Sequence, residues 1–121
     1  MPPIADTDPG WYRAQKRLLD EVEHGVREAN RALIGQRIPE LTRDSFLRLA
    51  TVVARLRAEY LAAALSLGRE TRGAVSAEEI ARLATLRGAF DEARMAFEAL
   101  ERAVSRGYVD IADPRLARTP F

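Results

Sequence analysis

The chain has no cysteine, one histidine, one lysine, one tryptophan and few aromatic residues. Each shortage removes something. Without cysteine there is no disulfide framework, no thiolate zinc site and no thiol nucleophile. A single imidazole, His24, leaves little for general acid–base chemistry or for a histidine-rich metal centre. Long apolar runs are missing too: nothing approaches the ~18 consecutive apolar residues of a membrane-spanning helix. The N-terminal "MPPIADTDPGWYRAQ" has neither the basic start nor the apolar stretch of a secretory signal. Glycine-rich phosphate-binding patterns are absent, as are the alternating runs that announce strands. A cytoplasmic protein without cofactor and without membrane attachment is the expectation.

What is present is a globular, slightly charge-rich composition, 47% apolar and 31% charged over 121 residues. That length implies one domain, long enough to bury a core without staples. Nineteen basic residues against eighteen acidic ones give a net charge of +1, which argues against a dedicated nucleic-acid binder. Apart from Lys16 every basic residue is arginine, which reads as the coding bias of a GC-rich bacterial genome.

Three segments carry helical periodicity. In residues 11–34, Leu19, Val22, Val26, Ala29 and Leu33 recur three and four apart and form one stripe. In residues 43–67 the seam is Phe46, Leu49, Val53, Leu56, Tyr60, Ala63 and Leu67. In residues 77–106 it is Leu83, Leu86, Phe90, Ala93, Phe97, Leu100 and Val104. Thr42 is placed to cap the second helix, and Ser76 with Glu79 forms a capping box for the third. Gly35, Gly68 and Gly107 sit where each helix is expected to end. These features predict an all-α, antiparallel up-down-up three-helix bundle spanning residues 11–107. An irregular leader (1–10) precedes it. In the C-terminal tail (108–121), Tyr108, Val109 and Ile111 are expected to fold back. Gly25 and Gly88, each costing about 1 kcal/mol inside a helix, suggest close helix approach.

Three groups of residues are candidates for function. Glu21 and His24, in "EVEH", stand one helical turn apart, as ligands of carboxylate-bridged metal bundles do. Glu59 could join them if copies assemble. The stripe places Glu21 and His24 on the opposite, solvated side of the first helix, so metal binding is the lesser reading. Arg69 and Arg72 in "GRETRG" precede the N-terminus of the third helix and could hold an anion. Arg48 and Arg55 form a basic stripe on the second helix, without the interleaved aromatics of a nucleic-acid stacking surface.

The strongest anomaly is "YLAAALSL", residues 60–67, which has no charge on any face. Leu61 and Leu65 lie off the seam, as do Trp11, Leu18 and Ile80. In an antiparallel bundle these spare apolar side chains gather at one end, the usual mark of an interaction site. The expected function is therefore a non-catalytic interaction or assembly module, paired with itself or with another protein. Leu61→Glu or Leu65→Glu is expected to yield a soluble monomer.

Overall fold

A charged, glycine-interrupted sequence can still hold long helices when each carries a continuous apolar stripe and explicit ends. The computed structural model describes residues 9–70 and 73–116 of the chain. It contains helix α1 (Pro9–Arg37), a short strand β1 (Leu41–Thr42), helix α2 (Arg43–Glu70), helix α3 (Ala77–Ser105), a second short strand β2 (Ile111–Ala112) and a 3₁₀ turn (Pro114–Leu116). The protein is all-α, with three α-helices among the described residues, as the periodicity predicts. It divides into two compact units, Met1–Pro39 and Glu40–Phe121.

The first unit is built on α1. The helix begins at Pro9, whose missing N–H is one of the donors a first turn leaves unsatisfied anyway. Gly35 does not end it: Ile38 N–H still donates to Ile34 O at 2.7 Å. Pro39, just beyond, cannot continue that ladder. No residue of α1 is buried.

The second unit is a helical hairpin. Phe46 meets Phe97 edge-on at 5.1 Å between ring centroids, and Tyr60 stacks with Phe90 at 6.2 Å. Positions that ascend along α2 thus meet positions that descend along α3, as antiparallel helices require. The seams are those read from the sequence. Val53 is buried, and every other seam residue of both helices is half-buried.

At the end away from the loop, two strands of two residues each tie the hairpin shut. Leu41 pairs with Ile111 and Thr42 with Ala112, in parallel. Leu41 and Val109 are 5% and 7% exposed and, with Val53, make up the buried apolar core among the described residues. The tail does fold back through Val109 and Ile111. The strand pairing was not visible in the sequence, because two residues are too few to show alternation.

The ends are well specified. Ser76 Oγ accepts from Glu79 N–H at 3.1 Å, and the Glu79 carboxylate accepts from Ser76 N–H at 3.5 Å, completing the capping box. Thr42 caps α2 by a related device: its Oγ1 accepts from Ser45 N–H at 3.0 Å, and Ser45 Oγ accepts from Thr42 N–H at 3.1 Å. Gly107, at φ 76°, closes α3 with Tyr108 N–H donating to Ala103 O and its own N–H to Val104 O. That paired arrangement needs a residue at positive φ. Gly68, by contrast, lies inside α2, which continues to Glu70. Among the described residues, an added Cβ at Gly25 or Gly88 would meet nothing within 4 Å, so no close approach there explains either glycine.

Candidate interaction surface

The stripe on α1 continues through the length of the helix. Tyr12, Leu19, Val26 and Leu33 take one heptad position and Gln15, Val22 and Ala29 the other. Trp11, Leu18, Gly25 and Ala32 widen the stripe on one side. Lys16, Glu23, Asn30 and Arg37 border it on the other. Sequence periodicity alone assigns such a stripe to a core. Here its large side chains stay open: Trp11 is 43% exposed, Tyr12 51%, Leu18 59%, Leu19 56%, Val22 54%, Val26 49% and Leu33 62%. Trp11 and Tyr12 meet edge to face at 5.4 Å.

On the hairpin, Leu61 and Leu65 are 52% and 60% exposed, one turn apart on α2, and Ile80 is 52% exposed on the first turn of α3. All three lie toward the loop end. Leu47, Val52, Val75 and Met95 are exposed as well and were not singled out from the sequence. Leu47 and Val52 could have been, since they are apolar residues off the α2 seam.

The candidate metal ligands are exposed at Glu21 and His24 on α1 and at Glu59 on α2. Among the described residues, no group of three or more histidines and carboxylates is placed to hold an ion. Arg69 is exposed at the end of α2, and Arg72 lies outside the described residues. Arg48 and Arg55 line a shallow groove of about 460 Å³ together with Asp44, Thr51, Leu47 and Val52. The carboxylate in that groove offsets part of its positive charge.

A second groove of about 460 Å³ lies at the strand-tied end of the hairpin. Phe46, Leu47, Ala50, Phe97 and Ile111 line it, along with Arg43, Asp113 and Arg115. Asp113 organises the charges there. Its Oδ1 accepts from Arg115 N–H at 2.9 Å, and its Oδ2 accepts from the Arg115 guanidinium at 2.7 Å. These hydrogen bonds, with the charges of Arg115 and Arg43, hold the Asp113 carboxyl down to about 2. On α3, Arg94 bridges Glu98 at 2.9 Å and Asp91 at 3.6 Å. The Glu98 hydrogen bond and charge raise the Arg94 guanidinium above its ordinary range. On α2, Arg57 covers the Phe90 ring at 5.1 Å.

Chemically, these surfaces offer apolar contact bordered by charged side chains, which suits docking of another helix. Among the described residues, no helix is long and apolar enough to cross a membrane. No protein-family model matches the chain, and no similar protein was found among curated proteins or solved structures.

Proposed function

We propose that this protein is a small, non-catalytic helical assembly module that self-associates through apolar side chains left exposed by its own fold. The observation that carries this reading is the α1 stripe, whose side chains from Trp11 to Leu33 remain 43–62% exposed on a helix with no buried residue. An apolar stripe is stable in water only against another apolar surface. Scattered apolar residues on a protein surface are ordinary, but a continuous row along one face marks a contact. Leu61, Leu65 and Ile80 form a smaller surface of the same kind on the hairpin. A cytoplasmic setting belongs to the same reading and is supported by the cysteine-free composition.

Light scattering across a dilution series tests it. The expected mass falls from twice that of the chain toward once as concentration drops. Leu65→Glu and Val22→Glu then locate the contact, because a charge buried on association is costly without a partner. Dissociation by the first places it at the loop end of the hairpin; dissociation by the second places it on α1. A protein that stays monomeric at high concentration would overturn the proposal.

A further inference from the structure

Self-association, taken as the basis here, leaves open which surfaces meet and in what direction. The flanking charges of α1 settle this for one arrangement. Lys16 and Glu23 both border the stripe on the same side, and neither makes an ion pair among the described residues. In a parallel helix pair that border faces the other border of the partner, which on α1 carries Trp11, Leu18, Gly25 and Ala32. Lys16 and Glu23 would then face apolar groups. In an antiparallel pair each border faces its own copy, so the charges meet charges.

We propose that two copies of the chain pair through α1, antiparallel, with the two-fold axis passing between Asp20 and Glu21. In that register Lys16 of each copy faces Glu23 of the other, giving two reciprocal ion pairs. Sliding one helix by a heptad either way brings Glu23 against Glu23 or Lys16 against Lys16. A slide of two heptads toward the C-terminus opposes Lys16 and Arg37. The same register matches sizes. Leu19 meets Val22 twice across the centre, Tyr12 meets Ala29, and Leu18 lies over Gly25. The open space beside Gly25, where an added Cβ would touch none of the described residues, then receives the leucine of the second copy. The paired segment spans residues 9–32, ~36 Å of helix. Half the circumference of such a cylinder covers roughly 600 Å² per partner, toward the lower end of specific interfaces.

Charge exchange tests the pairing. Lys16→Glu and Glu23→Lys should each weaken dimerisation by about tenfold at low salt, since every substitution converts two attractions into repulsions. The double variant should return to near wild-type association. Direction is read by spin labels on single cysteines introduced at Arg13, Asp20 and Arg27, which occupy one heptad position and meet no competing thiol in this cysteine-free chain. The antiparallel register separates the paired labels along the axis by about 22 Å, 2 Å and 20 Å respectively. A minimum at Asp20 with long distances on both sides is the expected result. Three equal distances, or a double variant as weak as the singles, would overturn this arrangement while leaving self-association intact. A wild-type protein that never dimerises would overturn both.

Discussion

Helix α1 and the α2–α3 hairpin are written in the same pattern and end in different states. Each carries apolar residues alternately three and four apart. On α2 and α3 those residues face each other, with aromatic pairs at Phe46–Phe97 and Tyr60–Phe90 and a buried Val53. On α1 the equivalent residues keep about half their surface in water. Periodicity therefore identifies the face a helix must bury, but not what it is buried against. The hairpin is also closed by strand pairing between Leu41 and Ile111 and by reciprocal caps at Thr42 and Ser76.

The contrast can be broken first at the rings. Phe97→Ala should destabilise the hairpin by about 2–3 kcal/mol, below the ~3–5 of a fully buried ring because Phe97 is only half-buried. Leu19→Ala on α1 should shift hairpin melting by no more than about 0.5 kcal/mol under conditions where the protein is monomeric. Equal effects from the two substitutions would mean that the stripes are not in different environments. Thermal melts at low concentration decide it.

Caps come next. Ser76→Ala removes the hydroxyl that accepts from Glu79 N–H, while the backbone N–H of residue 76 can still donate to the Glu79 carboxylate; it should cost about 1 kcal/mol, seen as a lower melting temperature with unchanged helix content at 25 °C. Of comparable size and opposite sign, Gly88→Ala should stabilise by about 0.5–1 kcal/mol, since a Cβ there meets open space and alanine favours the helix. A loss of stability on this change would reveal a contact at that face.

The smallest effect is acid-dependent. The folded Asp113 carboxyl titrates near 2 against an ordinary 3.8, so its contribution is complete above about pH 3.8 and fades as the pH falls toward 2. Asp113→Asn should remove that part of the pH dependence. Melting curves of both proteins between pH 5 and 2 should converge as Asp113 becomes protonated. Parallel curves across the window would show that the Arg115 pairing does not stabilise the turn.

Much of the hairpin was legible in the sequence because its signals are local. The Ser76–Glu79 spacing, Gly107 after α3 and both seams depend only on residues within a few positions. Leu41 was not legible as core, since its strand partner, Ile111, lies some seventy positions later. Ser45 escaped notice because a capping partner is ordinarily sought among Glu and Gln. Gly35 and Gly68 were read as stops, yet both keep helical conformation, as glycine can when the flanking turns are well formed. On the candidate surface, Leu61, Leu65 and Ile80 were found as spare apolar residues. The α1 stripe was assigned to the interior, because spacing marks the apolar face of a helix and carries no information on how exposed that face is; on α1 its large side chains are about half exposed.

The most direct test of the difference between the two regions is sedimentation of Val22→Glu beside the wild type, with hairpin melting followed on the same samples. A variant that is monomeric at concentrations where the wild type is dimeric, yet melts at the hairpin's unchanged monomeric temperature, is the expected result. A variant that dimerises with wild-type affinity would contradict the assignment of α1 as the associating face.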